Sequence, residues 1–345
     1  MSNIVETQKL TKKDFESDQD VRWCPGCGDY AILKAVLKTL ADLQADSART
    51  VFVSGIGCAA RFPYYVETYG FHTIHGRAPA FATGIKLANP ELDVWVVGGD
   101  GDLLSIGGNH LVHALRRNLD LQILLFNNEI YGLTKGQASP TSRPGTRSPS
   151  TPQGSLDAPM SALRLALGAG ARFVARGIDT QQKQLPEILR RAHAHKGTAL
   201  VEILQNCIVY NDGVFEGITA KASEAETQLH LAHGEPLLFG AGRSKGLRLR
   251  SDGFGLEVTA ADDPAVLRHD VSNASLAALL AALEPPLPVA IGVLFDSPAP
   301  TYEKQVLALE AMESARVRTT DLNALLRQGA TWSATAQTVG VAAQP

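Results

Sequence analysis

Short apolar segments alternate with amphipathic ones through the first two thirds of the chain. Residues 94–97 and 121–126 read as buried strands, each ending in a cluster of Gly, Asp or Asn. Residues 29–43 carry apolar side chains at the period of a helix, and residues 103–117 form a second such segment. Strands that alternate with helices predict an α/β fold, a doubly wound parallel sheet with helices on both faces.

The chain has four cysteines, and each follows or sits in a turn-prone segment. Cys24 and Cys27 share one tight turn, whereas Cys58 and Cys207 follow strand-like segments far along the chain. These positions favour a buried [4Fe–4S] cluster. A structural zinc ion, a redox-active disulfide and unrelated free thiols are the alternatives that the spacing leaves open.

A second group of polar residues follows two neighbouring strands. The segment 99–102 reads Gly-Asp-Gly-Asp, and Asn127 and Asn128 end the next strand. Carboxylate and amide oxygens suit Mg²⁺, and glycines allow a diphosphate to approach the backbone closely. A helix beginning near Leu103 would add its N-terminal dipole to the diphosphate. The sequence therefore predicts a site for Mg²⁺ and a diphosphate, with Asp100 and Asn128 as metal ligands.

Composition excludes some classes of function. The chain has 345 residues and a formal net charge of −3, without a basic block, so nothing indicates nucleic-acid binding. Its N-terminal residues are polar, without the apolar core of a signal peptide, and no apolar run reaches membrane-spanning length. We expect a cytoplasmic protein that does not bind membranes, whose four thiols serve a metal or catalysis.

The remaining segments are less regular. Residues 138–155 are rich in Ser, Thr and Pro and predict a flexible surface loop. Residues 334–345 resemble a frayed tail. Further helices are expected at 158–167, 180–194, 276–283 and 302–317, and a strand at 173–175.

Several sequence blocks, in this order, resemble the β subunit of 2-oxoacid:ferredoxin oxidoreductases, and most closely the 2-oxoglutarate branch. The blocks are WCPGCGDYAIL, SGIGCAARFPYY, HTIHGRAPAFATGIKLANP, VVGGDGDLLSIGGNHL, NNEIYGLTKGQASPTS and QNCIVYNDGVFE. The resemblance is dense between residues 23 and 216 and thinner beyond. It implies an N-terminal arm (1–22), a domain for thiamine diphosphate and the cluster (23–216), a C-terminal region for subunit contact (217–333) and a tail (334–345).

The resemblance also assigns residues to the cofactors. Cys24, Cys27, Cys58 and Cys207 match the ligands of a [4Fe–4S] cluster. Asp100, Asn128 and the backbone carbonyl of Ile130 match the ligands of Mg²⁺. The positions that match the lining of thiamine diphosphate are Ile56, Gly57, Cys58, Ala59, His75, Gly101, Asp102, Gly132 and Leu133.

Two residues are expected near the reacting groups. Arg61 matches a position at which a cation meets the distal carboxylate of the substrate, and a guanidinium can bind a carboxylate with two hydrogen bonds. Its alternative is an ordinary surface arginine, and pyruvate could still enter an open pocket. His75 is expected near the diphosphate, with a satisfied turn histidine as its alternative.

The implied reaction is the reversible, coenzyme A-dependent oxidative decarboxylation of a 2-oxoacid, with electrons passing through the cluster to ferredoxin. Only the diphosphate-binding half of a thiamine site is visible. Glu67 and Glu129 are available, but the glutamate that contacts the aminopyrimidine is expected from an α subunit, in an αβ or α2β2 assembly. We therefore expect a large apolar surface on this chain where the α subunit binds. The rival classes are a stand-alone thiamine-dependent decarboxylase and a non-catalytic electron-transfer or zinc-binding subunit.

Overall fold

The computed structural model describes residues 9–316 and 321–332. The chain divides into two compact units, Met1–Lys304 and Gln305–Pro345. The predicted tail at 334–345 lies outside the described residues. Three 3₁₀ helices cover Lys12–Phe15, Ala59–Tyr65 and Ala241–Arg243.

The strands and helices follow in the predicted alternation. The strands are β1 (Thr50–Ser54), β2 (Tyr69–His72), β3 (Asp93–Gly99), β4 (Leu121–Asn127), β5 (Phe173–Ile178), β6 (Thr198–Leu204), β7 (Gln228–His230), β8 (Leu238–Phe239), β9 (Lys245–Leu249), β10 (Leu256–Ala260) and β11 (Val289–Asp296). The helices are α1 (Asp29–Leu43), α2 (Ala78–Ala88), α3 (Asp100–Leu103), α4 (Gly108–Arg117), α5 (Ala162–Gly168), α6 (Gln184–Ala194), α7 (Glu216–Thr219), α8 (Glu224–Thr227), α9 (Ala274–Ala281), α10 (Tyr302–Ser314) and α11 (Leu322–Leu326).

The large sheet has eight strands in the order β2-β1-β3-β4-β6-β5-β11-β7. All neighbours from β2 to β5 are parallel, which confirms the predicted doubly wound sheet. One edge differs, because β11 runs antiparallel to β5 and carries β7 parallel to itself. The region after residue 216 thus supplies two strands of the large sheet. It also forms a three-stranded antiparallel sheet, β10-β9-β8.

Apolar side chains fill both faces of the sheet, because successive residues of a strand point to opposite sides. On β1, Val51 and Val53 join one core cluster and Phe52 the other. Helices α2, α4, α5 and α9 contribute side chains to the first cluster, and α1 and α6 to the second. Burying a large apolar side chain contributes about 1.5–3 kcal/mol. The two-faced core therefore holds the strand ends, and the loops that leave them, in fixed positions.

One predicted helix is divided. The segment expected as a helix over 103–117 includes only the last residue of the four-residue helix α3, then a break at residues 104–107, and then α4. The break follows from close backbone packing: a β-carbon at Gly107 would lie 2.4 Å from the carbonyl oxygen of Asp102, and one at Gly76 2.5 Å from the nitrogen of Gly107. The predicted bounds of this helix, 103–117, were therefore wrong, and the helix that begins at the end of β3 is the one-turn α3. The contribution of a helix dipole to a bound diphosphate stays a prediction.

The segment 138–155 forms no helix or strand between β4 and α5, as its composition predicts, but part of it is buried rather than at the surface. Its Ser and Thr side chains at 139, 141 and 142 are buried, and two of them contact Asp100. Among the described residues, none of the helices is both long and apolar enough to cross a membrane.

Candidate cofactor and cluster site

A cleft of about 560 Å³ opens at the C-terminal ends of β1, β3 and β4, where open α/β sheets bind ligands. The loops that follow these strands supply most of its lining. The sequence-predicted residues that line it are Ile56, Gly57, Cys58, Ala59, His75, Asp100, Gly101, Asp102, Asn128, Ile130, Gly132 and Leu133. The two motifs that lie far apart in the sequence are therefore brought together in one cleft.

Asp100 lies at the end of β3 and is 1% exposed. Its Oδ2 accepts hydrogen bonds from the hydroxyls of Ser139 and Thr141, each at 2.5 Å. Burial raises the pKa of the Asp100 carboxyl to about 6, although these hydroxyls oppose the shift. No lysine or arginine of the described chain is among the groups that act on this pKa. A bound cation would supply the missing positive charge, so the environment of Asp100 fits a metal ligand.

The turn after β4 brings Asn128 and Ile130 to the cleft, and their oxygens could bind a metal ion. The side-chain oxygen of Asn128 accepts a hydrogen bond from the backbone N–H of Ile130 at 3.2 Å. Asn211 donates to the backbone oxygen of Asn128 at 2.8 Å. These contacts fix the turn, in which Glu129 has a positive φ of 54°. Together with Asp100, the turn offers the carboxylate, amide and carbonyl oxygens that Mg²⁺ prefers.

Asp102 ties three loops together at the floor of the cleft. Its Oδ1 accepts hydrogen bonds from the backbone N–H groups of Gly76 at 2.7 Å and Ile56 at 3.2 Å, and lies 2.7 Å from Nδ1 of His75. Its Oδ2 is buried without a hydrogen-bond partner in the described structure. Burial raises the pKa of Asp102. Since Nδ1 of His75 faces Asp102, Nε2 is the imidazole nitrogen left for a ligand in the cleft.

Tyr131 packs directly against the backbone of Gly101. The Tyr131 hydroxyl donates to the carbonyl oxygen of Gly101 at 3.0 Å, and a β-carbon at Gly101 would lie 2.2 Å from Cε1 of the Tyr131 ring. Any side chain at position 101 must therefore displace the ring. The absence of a side chain at Gly101 therefore allows the Tyr131 ring to lie against the backbone at the end of β3.

We expect the Gly101→Ala variant to be less stable than the unchanged chain by about 1–3 kcal/mol, because the added methyl group overpacks this contact. Denaturant unfolding measures the difference. Gly108→Ala is a matched control, since a β-carbon there meets no atom within 4 Å and alanine is the better helix former. Equal stability of the Gly101→Ala and Gly108→Ala variants would contradict the described packing of Tyr131.

The four cysteines line a second, smaller cavity of about 210 Å³. All four are free thiols: Cys207 is buried, Cys27 and Cys58 are half-buried, and Cys24 is exposed. Burial and, to a smaller extent, the Asp29 carboxylate raise the pKa of the Cys58 thiol to about 12. The pKa of Cys27 is raised for the same two reasons. These thiols would hold their protons until iron or another metal ion displaced them, which fits a ligand role.

The positions of the four cysteines bear on the kind of metal centre that this cavity could hold. In residues 9–316 and 321–332, no three His, Cys, Asp or Glu side chains surround a position suited to a single metal ion. A structural zinc ion needs four ligands around one centre, whereas each sulfur of a [4Fe–4S] site binds a different iron and the sulfurs stand farther apart. The side-chain amide of Gln205 also donates to Sγ of Cys27 at 3.3 Å. The four cysteines around this cavity supply the thiolate ligands that a [4Fe–4S] cluster would need.

The two sites share a wall. Cys58, Asn128, Gly132 and Leu133 line both the cleft and the cysteine cavity. A β-carbon at Gly132 would lie 3.3 Å from Sγ of Cys58 and 3.6 Å from Sγ of Cys207. A group bound in the cleft would thus be separated from the cysteines by little more than the backbone of one glycine.

Arg61 lies at the cysteine cavity and is not among the residues that line the cleft. Its positive charge lowers the pKa of Cys58, against the larger effects of burial and Asp29. Arg61 has no salt bridge within the described part of the chain, whereas Arg22, at the same cavity, pairs with Asp20 at 3.1 Å. The guanidinium of Arg61 is thus available to an external anion, and its role toward a substrate stays a prediction.

Three residues near the site were missed in the sequence. Ser139 and Thr141 contact Asp100 from a segment whose composition is typical of a loop. Asp29 begins α1, lines the cleft and is fully buried, so that its pKa rises to about 7. The sequence offered one signal for each of these positions. Asp29 follows Cys27 by two residues, and the segment Ser-Pro-Thr-Ser, which contains Ser139 and Thr141, follows shortly after Asn128.

The chain matches the family model described as thiamine pyrophosphate enzyme, C-terminal TPP binding domain, over residues 55–203. These residues run from the loop after β1 into β6 and include most of the cleft lining. The fold and the cleft therefore define a thiamine pyrophosphate-binding domain.

Relatives extend the similarity to most of the chain. Subunit KorB of 2-oxoglutarate oxidoreductase from Mycobacterium tuberculosis is 50% identical over 332 residues, 93% of this chain and 88% of that protein. The β subunit of 2-oxoacid:ferredoxin oxidoreductase 1 from Aeropyrum pernix is 54% identical over 190 residues, 55% of this chain and 60% of that subunit.

A solved structure is similar over nearly its whole length. It is the 2-oxoglutarate:ferredoxin oxidoreductase from Magnetococcus marinus with 2-oxoglutarate, coenzyme A and succinyl-CoA bound. The TM-score is 0.77 and the identity 32%, over 94% of this chain and 98% of that one. The chain belongs to the family of 2-oxoacid:ferredoxin oxidoreductase β subunits. Its membership favours an oxidoreductase subunit over a stand-alone decarboxylase or a structural zinc protein.

Proposed function

We propose that the chain is the β subunit of a 2-oxoglutarate:ferredoxin oxidoreductase that binds thiamine diphosphate, Mg²⁺ and a [4Fe–4S] cluster. The reaction converts 2-oxoglutarate and coenzyme A to succinyl-CoA and CO₂, and two electrons leave for ferredoxin. One observation carries the proposal: the Asp100 cleft and the four-cysteine cavity share the wall that contains Cys58 and Gly132. A site for decarboxylation alone would not need the cysteines, and an electron carrier alone would not need the cleft.

The strand ends hold the cofactor. Asp100, Asn128 and the carbonyl of Ile130 would bind Mg²⁺, which joins the protein to the diphosphate. Ile56, Gly57, Ala59, Gly101, Asp102, Gly132 and Leu133 would line thiamine diphosphate. When bound, this cofactor stabilises the negative charge left by decarboxylation. The residues of the chain would orient it, and Ile56 and Leu133, which are 38% and 51% exposed in this chain, would offer it an apolar surface.

His75 is held in place by a buried carboxylate. The 2.7 Å contact between its Nδ1 and Oδ1 of Asp102 orients the imidazole and leaves Nε2 toward the cleft. In this position Nδ1–H donates to Asp102, and Nε2 can donate a hydrogen bond to a phosphate oxygen when the imidazole is doubly protonated. Its role is therefore to bind and orient rather than to fill a turn.

The four cysteines would bind the cluster that takes up the electrons one at a time. Trp23 donates from Nε1 to the carbonyl oxygen of Cys58 at 2.7 Å, which fixes the loop that carries this ligand. Since Cys58 lines the cleft as well as the cysteine cavity, a cluster held by these cysteines would be next to the cofactor cleft. The exposed side of the cavity, at Cys24, is the side that ferredoxin can approach.

A second subunit completes the active site in this proposal. No glutamate is among the residues that line the cleft. Glu129 instead pairs with Arg143 at 2.9 Å beside another cavity, so it does not supply the contact to the aminopyrimidine. Exposed apolar side chains on β2 and the segments beside it offer a surface for the α subunit. They are Tyr64, Tyr69, Phe71, Ile74, Phe81 and Ile106.

Anaerobic purification of the chain with its α partner tests the proposal. Iron and thiamine diphosphate would be quantified, and viologen reduction measured with coenzyme A and either 2-oxoglutarate, pyruvate or 2-oxobutyrate. We expect four irons per β chain and the fastest reduction with 2-oxoglutarate. Preference for pyruvate would support the alternative, a pyruvate or broad-specificity enzyme of the same family. Zinc in place of iron would contradict the electron-transfer role.

Substrate preference provides a sharper test at Arg61. Replacing Arg61 with Met should raise the KM for 2-oxoglutarate by about tenfold or more and leave that for pyruvate little changed, since only the longer acid has a distal carboxylate. The measurement is the ratio of kcat/KM for the two substrates. Arg22→Met removes a cation from the same cavity that is already paired with Asp20, and we expect this ratio to stay unchanged. Equal effects of the two variants would contradict the role of Arg61.

A further inference from the structure

Two hydroxyl groups hold one oxygen of Asp100. Ser139 and Thr141, which are 8% and 4% exposed, both donate to Oδ2 at 2.5 Å. A carboxylate oxygen has two lone pairs, so two donors occupy both of them. The other oxygen, Oδ1, accepts no side-chain hydrogen bond from the described residues. It is therefore the oxygen left for a cation.

The proton of Thr141 can be assigned from its surroundings. Its hydroxyl lies 2.5 Å from Asp100 Oδ2 and 3.0 Å from Oδ1 of Asn127, yet a hydroxyl has a single proton to donate. Asn127 has another donor, since its Oδ1 accepts from the backbone N–H of Glu129 at 3.2 Å. The contact to Asp100 is shorter and has the charged acceptor, so the proton points to Asp100.

A rigid framework supports this arrangement. The side-chain amide of Asn127 donates to Glu202 at 2.8 Å, which fixes the orientation of its oxygen toward Thr141. Glu202 is 3% exposed and forms an ion pair with Arg176 at 2.7 Å, across the neighbouring strands β5 and β6. Asn127 itself ends β4, so three adjacent strands hold the hydrogen-bonded group in place.

The segment that carries the hydroxyls is also tied to the turn with the other proposed ligands. The hydroxyl of Ser142 donates to the carbonyl oxygen of Glu129 at 2.5 Å, and the backbone N–H of Ser139 donates to the same hydroxyl at 2.8 Å. Glu129 lies between Asn128 and Ile130. The segment 139–142 therefore fixes Asp100 relative to both.

We propose that Ser139 and Thr141 are positioning residues that restrict Asp100 to a single metal-binding oxygen and thereby favour Mg²⁺ over Ca²⁺. The inference rests on the proposed magnesium site. Ca²⁺ takes six to eight oxygen ligands in flexible geometry and accepts bidentate carboxylates, whereas Mg²⁺ requires compact octahedral geometry. With Oδ2 occupied by two hydroxyls, Asp100 binds through Oδ1 alone. This loss of the bidentate mode disfavours the larger ion.

Calorimetric titration of the metal-free complex with its α partner tests the inference. Mg²⁺ and Ca²⁺ would be titrated separately in the presence of thiamine diphosphate. Thr141→Val removes a donor at nearly constant volume, Ser139→Ala removes the second, and the two would also be combined. We expect Mg²⁺ affinity to fall about tenfold or more, as is common for residues that support a metal ligand, and the Mg²⁺/Ca²⁺ affinity ratio to fall about tenfold.

Two further variants separate positioning from general damage. Thr141→Ser keeps the hydroxyl and should retain the affinity ratio of the unchanged complex. Ser148→Ala removes a buried hydroxyl of the same segment that contacts Ser150 and Thr151 rather than Asp100, and should change neither affinity. A loss of the Mg²⁺ preference in Ser148→Ala equal to that in Thr141→Val would overturn the inference.

The outcomes also distinguish the inference from the proposed function. An unchanged Mg²⁺/Ca²⁺ ratio in the combined variant, in a complex that oxidises 2-oxoglutarate, overturns the inference and leaves the function standing. A changed ratio in a complex that prefers another 2-oxoacid supports the inference and overturns the substrate assignment. Absence of any thiamine diphosphate-dependent Mg²⁺ binding in the unchanged complex overturns both.

Discussion

Replacement of Asp100 by alanine is expected to abolish turnover and thiamine diphosphate binding while leaving the visible absorbance of the cluster intact. Asp100 is a buried carboxylate at the end of β3, and the proposal makes it the charged ligand of the Mg²⁺ site, beside Asn128 and Ile130. Loss of a residue that merely supports a metal ligand costs about 10–100-fold in affinity. Loss of the ligand itself should cost more. Cofactor content and viologen reduction of the anaerobic complex are the measurements.

The same strand offers the control for this experiment. Asp93 lies at the opposite end of β3 and pairs with His193 at 3.2 Å, away from the cleft. Asp93→Ala should therefore retain thiamine diphosphate. Turnover that survived in Asp100→Ala would show that the magnesium site does not lie at this strand end.

Replacement of Cys58 by alanine is expected to remove the iron of the proposed cluster. Cys58 lines both cavities, and the other three cysteines cannot complete a four-sulfur site without it. We expect iron to fall from about four atoms per chain to near zero, with loss of viologen reduction. Iron analysis and the visible spectrum under anaerobic conditions measure the change.

The two variants serve as controls for each other. Asp100→Ala should keep iron and lose thiamine diphosphate, and Cys58→Ala should lose iron for a reason unrelated to Mg²⁺. Cys207→Ala, which removes the buried thiol of the proposed ligand set, should repeat the result of Cys58→Ala. Retention of iron in both cysteine variants would reject the cluster assignment.

Much of the fold could be predicted from local pattern. The predicted helix over 29–43 has the observed bounds of α1, because its apolar period marks one face that packs on the sheet. Strands β3 and β4 contain the predicted segments 94–97 and 121–126 and extend them by one or two residues. Residues on both faces of these strands are buried, so continuous apolar runs were a sufficient signal.

The features of the fold that could not be predicted depend on contacts between segments distant in the sequence. The break at 104–107 arises because the backbone at Gly107 passes close to Gly76, which no local pattern records. The direction of β11 is set by the path of the chain through β8–β10 and α9, and an apolar run does not specify its direction. Helix α5 begins at residue 162, later than expected from 158, because Ser161 caps it.

The residues of the candidate site were likewise predictable from the sequence only in part. Asp100, Asn128, Cys58 and Cys207 could be placed near one another because they follow parallel strands, whose C-terminal ends meet at one edge of the sheet. Ser139 and Thr141 could not, because their hydroxyls are partners of a residue about 40 positions away and their own segment resembles a solvated loop. A composition rich in Ser and Thr reports hydrogen-bonding capacity without indicating which acceptor uses it.

The graded exposure of the four cysteines affects how the complex should behave in air. Cys207 is buried, and Cys24 stands at the open rim. A cluster bound here would have one face toward solvent, which is the face that a soluble carrier needs for rapid electron uptake. Molecular oxygen would reach the inorganic core from that same direction. Damage should therefore begin with loss of the iron nearest Cys24, and a tightly docked carrier should slow it by covering the opening.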